Sequence, residues 1–105
     1  MSTISEEQRK YEYDNGYRSN NDQNIYYTIQ AYDTEEGYVS YEYSKYTENL
    51  SIAKEWFDKT LNSFRKNNKY SGHLLRIAAL TKTWISSRQE EMYITIKILK
   101  IKSYI

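Results

Sequence analysis

From Ile25 onward apolar and polar positions alternate: Ile25, Tyr27, Ile29 and Ala31 fall on one face, Tyr26, Thr28, Gln30 and Tyr32 on the other. A period of two is that of a half-buried strand. Asp33-Thr34-Glu35-Glu36-Gly37 supplies an aspartate at a turn entrance and a glycine able to take positive φ, which predicts a hairpin. The second strand, Tyr38 to Tyr46, sets Val39, Tyr41 and Tyr43 against Ser40, Glu42 and Ser44. Asn49 or Ser51 can then cap a helix running to about Lys66, since a short side-chain oxygen accepts from the orphan amides of a first turn. Within it Ala53, Trp56, Phe57, Thr60, Leu61 and Phe64 repeat at the spacing of one apolar stripe. The stretch Asn67 to Gly72 supplies the exit turn.

Between His73 and Ser87 both periods fit. Leu74, Ile77, Ala78, Thr81 and Ile85 make a helical stripe, while Leu75, Ile77, Ala79 and Thr81 make a strand face. The run Thr81, Thr83, Trp84, Ile85 favours two strands, His73 to Ala79 and Thr83 to Ser87, although Leu80-Thr81-Lys82 holds no turn-forming residue. Met92 to Ser103 is a further strand, with Met92, Ile94, Ile96 and Ile98 toward the core and Tyr93, Thr95 and Lys97 away from it. Lys100 and Lys102 follow on the apolar face, so the far end is predicted to leave the core. The predicted class is α+β: an antiparallel sheet with one covering helix, in the order β-β-α-β-β-β. Residues 25–105 form one compact domain in this reading, and 1–24 a flexible polar arm. The arm is rich in Asn and Asp without an apolar period, and its Tyr11, Tyr13 and Tyr17 can dock on the domain or on a partner.

At 105 residues, 39% hydrophobic and 28% charged, the chain can build one core but hardly two. Thirteen tyrosines supply most of its 16% aromatic content, which is far from a disordered composition. The absence of cysteine removes disulfides, thiolate metal sites and a cysteine nucleophile together. No window has the apolar length of a membrane span, and the opening residues pass directly into charge. A soluble, cytoplasmic protein with no membrane partner is expected. The net charge of +1 conceals an asymmetry: residues 1–49 carry four basic against ten acidic side chains, residues 50–105 eleven against four. Such a split steers association more than it shapes a fold.

Catalytic equipment is sparse. His73 is the single histidine, which excludes a two-histidine metal face and leaves one base for any Ser-His-Asp arrangement, with no G-x-S-x-G beside it. Gly16, Gly37 and Gly72 stand too far apart for a phosphate-binding loop. The acid pairs Glu6-Glu7, Glu35-Glu36 and Glu90-Glu91 lie in the arm or in predicted turns, where solvated charge is their ordinary role. No metal or cofactor is predicted, and a non-enzymatic protein is expected. Two sets of residues instead suggest contact surfaces. Tyr26, Tyr32, Tyr38, Glu42 and Tyr46 offer rigid rings and acid on one hairpin, suited to a protein partner. Lys54, Arg65, Lys66, Lys69, Arg76, Lys82 and Arg88, interleaved with Tyr70 and Trp84, suit a partner carrying phosphate or acid.

Leu50-Ser51-Ile52-Ala53-Lys54, followed by Gly72-His73-Leu74-Leu75-Arg76-Ile77 and by Thr83-Trp84-Ile85, resembles a type I-F family of small phage anti-CRISPR proteins. That family has a helix opening on Leu-Ser-x-Ala-Lys, a glycine before a strand ending in Arg-Ile, and a tryptophan-bearing strand. The resemblance covers about a third of the chain, and the acidic region before it has no counterpart. It implies a stoichiometric inhibitor of a host protein or ribonucleoprotein complex in the host cytoplasm, with Lys54, Lys69 or Arg76 as contacts. The alternative from composition is direct nucleic-acid binding by the basic half. The last strand also leaves an edge at which a second copy can pair, so a homodimer is a further candidate assembly.

Overall fold

A computed structural model describes residues 4–105. In chain order it contains α1 (Glu6–Asp14), β1 (Tyr26–Asp33), β2 (Tyr38–Glu42), α2 (Leu50–Lys66), β3 (Leu74–Ile85) and β4 (Glu90–Tyr104). The strands form one antiparallel sheet in the order β2-β1-β3-β4. The class is α+β as expected, with two helices and four strands in place of one and five.

Helix α2 forms where its stripe predicts. The Asn49 side chain accepts from the Ser51 amide, and Arg65 and Lys66 place positive charge against the negative end of the helix dipole. Its Leu50, Ala53, Phe57 and Phe64 are buried on Tyr27, Ile29, Ala31, Leu75, Ile77, Ala79 and Leu99 of the sheet, while Trp56 and Leu61 pack at the margin. Each large side chain so buried contributes about 1.5–3 kcal/mol. The β1–β2 turn is also as read: Asp33 accepts from the amides of Glu35 and Glu36, and Gly37 takes φ +79°. Strand β2 ends at Glu42, short of Tyr46.

Three expectations are corrected. The segment His73 to Ser87 is a single strand, not two: Leu75 and Ile77 to Leu80 are buried, a run with both faces covered as in a central strand, and Leu80-Thr81-Lys82 contains no turn. The reversal falls after Ile85, where Gln89 adopts φ +51°. Strand β4 keeps its far end, not its near one, in the core, the reverse of the expectation, while Met92 and Ile94 still face away from Tyr93 and Thr95. Leu99 is buried and Ile101 packs on the core, whereas Ile94 and Ile96 are 40% and 36% exposed. Register shifts between Arg76 and Ala78 and between Ala79 and Leu80 interrupt the two-residue period and move the isoleucines out of phase.

The arm 1–24, read as flexible, is folded over its described part; residues 1–3 lie outside the described residues. Ser5 caps α1 by accepting from the Gln8 amide, with Glu6 and Glu7 in the first turn. Glu12, fully buried, accepts from Arg18 Nε at 2.6 Å, from Gln8 Nε2 at 3.0 Å and from the Tyr27 hydroxyl. The Tyr17 hydroxyl lies 2.9 Å from that of Tyr27, and since Tyr27 spends its proton on Glu12, Tyr17 is the donor. Arg18 also donates to the carbonyls of Asn20 and Gln23. Local composition cannot reveal such an anchor, because its stabilising groups are polar and distant in sequence.

Candidate functional site

Paired residues of an antiparallel ladder share a face. The pairings Tyr27↔Ala79, Ile29↔Ile77 and Ala31↔Leu75 therefore define the face under α2. Tyr26↔Leu80, Thr28↔Ala78, Gln30↔Arg76 and Tyr32↔Leu74 define the opposite one, which neither described helix covers. Lys82↔Tyr93, Trp84↔Glu91 and Arg76↔Lys102 extend it across β4.

An aromatic cluster sits on this helix-free face. The rings of Tyr46 and Tyr93 stack at 4.1 Å between centroids and 12° between planes, and Tyr26 meets Tyr93 edge-on at 5.3 Å. Lys82 Nζ lies 5.7 Å from the Tyr93 centroid and 3.9 Å from the Glu91 carboxylate. A polar row runs beside the cluster: the Tyr46 hydroxyl donates to Glu42 at 3.1 Å, Gln30 Nε2 donates to Glu42 at 2.8 Å, and Arg76 donates twice to Gln30 Oε1 at 3.1 and 3.2 Å. The Arg76 guanidinium covers the Tyr32 ring at 4.4 Å. Burial holds it somewhat below the usual arginine range, against the influence of Tyr32. Burial likewise raises the phenols of Tyr26 and Tyr46, aided by Glu48 and Glu42 respectively, so the rings present neutral hydroxyls.

The two residue sets read from the sequence are thus not two surfaces. Tyr26, Tyr32, Glu42 and Tyr46 share the helix-free face with Arg76 and Lys82. The other members are dispersed. Tyr38 is exposed at the start of β2, Arg88 stands in the β3–β4 turn beside Glu90, and Lys54 borders a cleft between α1 and α2 with Tyr11 and Leu50. Lys66 and Lys69 mark the exit of α2, and Lys69 lines a groove with Tyr41, Phe64 and Tyr70. Arg65 is engaged, donating to the Tyr104 carbonyl at 2.6 Å and to Ser103 Oγ at 3.2 Å.

Tyr93 and Trp84 complete the surface. Sequence reasoning placed Tyr93 on the wet face without its partner Tyr46, which comes from a distant hairpin. Strand β1 pairs with β3 only from Leu74 to Leu80, so the β3–β4 hairpin projects beyond the sheet and carries Trp84 at 59% exposure. Lys100 stands between Leu99, which is buried, and Ile101, which packs on the core, and is therefore turned away from α2 beside Lys102. Because β1 and β2 are neighbours and β3 and β4 are neighbours, the acidic and basic halves of the sequence keep separate sides of the sheet.

One arrangement has the composition of a catalytic triad. His73 Nδ1 lies 2.7 Å from Ser40 Oγ, and His73 Nε2 lies 3.5 Å from Asp33 Oδ2. Ser40 Oγ also lies within hydrogen-bond reach of the Ala31 carbonyl, at 3.1 Å, so the backbone competes with the imidazole for its proton. The amides of Glu36 and Glu35, with His73 as a lesser cause, hold the Asp33 carboxyl below its ordinary value. The adjacent cleft of about 140 Å³ is lined by Asp33, Thr34, Glu35, Ser71, Gly72 and His73 and does not include Ser40. This geometry fastens the β1–β2 turn to the start of β3. Among the described residues, no group of three or more His, Asp or Glu is placed to hold a metal ion, and no helix is long and apolar enough to cross a membrane.

No protein-family model, curated protein or solved structure matches this chain.

Proposed function

We propose that this chain is a non-enzymatic binding protein that masks, in stoichiometric complex, a surface of a larger protein or ribonucleoprotein machine. In the most specific form of the proposal it is a phage or mobile-element inhibitor of the anti-CRISPR kind, acting in the host cytoplasm. The observation that supports binding is the continuity of the Tyr26–Tyr46–Tyr93 cluster with Lys82 and the projecting Trp84. Half-buried rings on a rigid sheet offer contact area at low entropic cost, and tryptophan, tyrosine and arginine are the residues on which interface energy concentrates. The resemblance of Leu50 to Ser87 to type I-F inhibitors supplies the kind of machine.

The test adds the purified chain to a type I-F RNA-guided complex and follows binding of target DNA. Loss of DNA binding at equimolar ratio, relieved by Trp84→Asp or Tyr93→Ala, is expected. Undiminished DNA binding at large molar excess refutes the inhibitor reading. The second reading, direct nucleic-acid binding, is favoured by Arg76, Lys82, Lys100 and Lys102 sharing the helix-free face. An electrophoretic shift by the chain alone, weakening steeply as salt rises, distinguishes it.

A further inference from the structure

Arg76 and Lys102 stand directly opposite each other in the β3–β4 ladder, on the helix-free face. Like charges so placed destabilise a ladder. The register shift here adds a third cation. Between Ala78↔Ile98 and Arg76↔Lys102 the chain takes four steps along β4 against two along β3, so Lys100 is carried in the bulge beside the same arginine. Among the described residues no carboxylate forms an ion pair with Arg76, Lys100 or Lys102. The acid of the adjoining row, Glu42, accepts from Tyr46 and from Gln30 Nε2, and the Gln30 amide joins it to Arg76.

Arg76 is also held in one pose. Its Nε and Nη2 donate to Gln30 Oε1, its guanidinium covers the Tyr32 ring at 4.4 Å, and Gln30 is itself buried and fixed by Glu42. Nη1 has no partner among the described residues. The planar fork therefore keeps free donors for an anion with more than one oxygen, and an arginine already immobilised gives up little freedom on binding. Two residues beyond Lys102, roughly 7 Å along the strand, Tyr104 lies opposite Leu74 on the same face and is 60% exposed. Its backbone is anchored, because Arg65 takes its carbonyl and Ile105 exchanges hydrogen bonds with Gly72 and His73.

We propose that Arg76, Lys102 and Lys100 bind consecutive phosphates of a single-stranded nucleic acid, one base of which stacks on Tyr104. This rests on the reading of the helix-free face as a contact surface, and it names the strand, free or displayed by a ribonucleoprotein, as what that end of the face contacts. Three uncompensated cations at one point exceed what a single carboxylate neutralises and match a chain that carries a charge at every unit. The ring selects a single strand, since bases paired within a duplex leave no face free to lie on it.

Fluorescence anisotropy of a labelled oligothymidylate should show saturable binding that weakens steeply as salt rises. Unlabelled oligothymidylate should displace it more readily than its duplex with oligodeoxyadenylate, polyglutamate or inorganic phosphate at equal charge. Lys102→Gln, at an exposed position, should reduce the slope of log affinity against log salt by about 0.7, the share of one phosphate contact. Tyr104→Ala should weaken binding about tenfold at unchanged slope. Arg76→Lys keeps the charge but loses the fork, and should weaken binding at unchanged slope as well. All three variants should retain native circular dichroism. No saturable binding at low salt, a slope indifferent to Lys102→Gln, an affinity indifferent to Tyr104→Ala, or displacement by duplex, polyglutamate or phosphate as readily as by the single strand would each overturn the proposal. Any of these results with Trp84-dependent inhibition of the RNA-guided complex intact overturns this site alone, whereas lost inhibition with this binding intact overturns the inhibitor reading alone.

Discussion

Replacing Arg18 by methionine isolates the contribution of the N-terminal anchor. In the native chain the Arg18 side chain is 2% exposed and that of Glu12 is not exposed at all, with 2.6 Å between Nε and Oε1. Methionine fills much of the same volume and removes the charge, which leaves the Glu12 carboxylate in the interior with only Gln8 and Tyr27 as donors. Removing one partner of a buried ion pair costs about 3–5 kcal/mol, because the remaining charge stays desolvated without compensation. A domain of this size is stabilised by only about 5–15 kcal/mol in all. Urea unfolding followed by circular dichroism and tryptophan fluorescence should show that loss as a lower midpoint at constant slope. The double variant Glu12→Gln/Arg18→Met removes both charges and keeps an acceptor for Tyr27, so it should recover most of the deficit. A deficit below ~1 kcal/mol for Arg18→Met, the value of a solvated surface pair, would refute the reasoning. So would a double variant no more stable than the single one.

Burial raises the phenols of both Tyr17 and Tyr27, with the Glu12 carboxylate a further cause in each. A raised folded value means that this stabilisation is whole below the unfolded value of about 10 and is lost as pH climbs above it. Ultraviolet titration should find at least two of the thirteen tyrosines un-ionised until the alkaline loss of circular dichroism, and ionisation of all thirteen in the folded state would contradict their placement. Phe57→Asp puts a carboxylate between α2 and the sheet and should abolish cooperative thermal unfolding. Gly37→Ala meets no obstruction closer than Tyr32 Oη at 3.8 Å, so its cost is backbone strain at φ +79°, about 1–2 kcal/mol by chemical denaturation. Trp84→Asp, at an exposed position, should leave stability within about 0.5 kcal/mol while abolishing partner binding.

Helix α2 and the β1–β2 turn were legible because their signals are local: a cap, a stripe at helical spacing, an aspartate and a glycine around a reversal. Helix α1 was not. It spans nine residues, lacks an apolar stripe, and is held by a glutamate and an arginine that any local pattern assigns to water. The end of β4 that enters the core was misread for a different reason, since alternation predicts a face only while the register is unbroken, and two shifts in the β3–β4 ladder break it. Of the surface, Tyr26, Tyr46 and Glu42 were legible as neighbours on one hairpin. Their union with Arg76, Lys82 and Tyr93 depends on which strand lies beside which, and that order is set by the central position of β3.

Gln8 accepts from the Leu50 amide and donates to the Glu48 carbonyl, so the first helix is stitched to the entrance of the second. A shortened version beginning at Ile25 would lose that stitch and strip the Tyr27 hydroxyl of both partners while its ring still sat inside the protein. Trimming residues 4–24 as a dispensable leader would accordingly manufacture a poorly behaved fragment, and any failure of that fragment to engage a target would report on its collapse, not on the target.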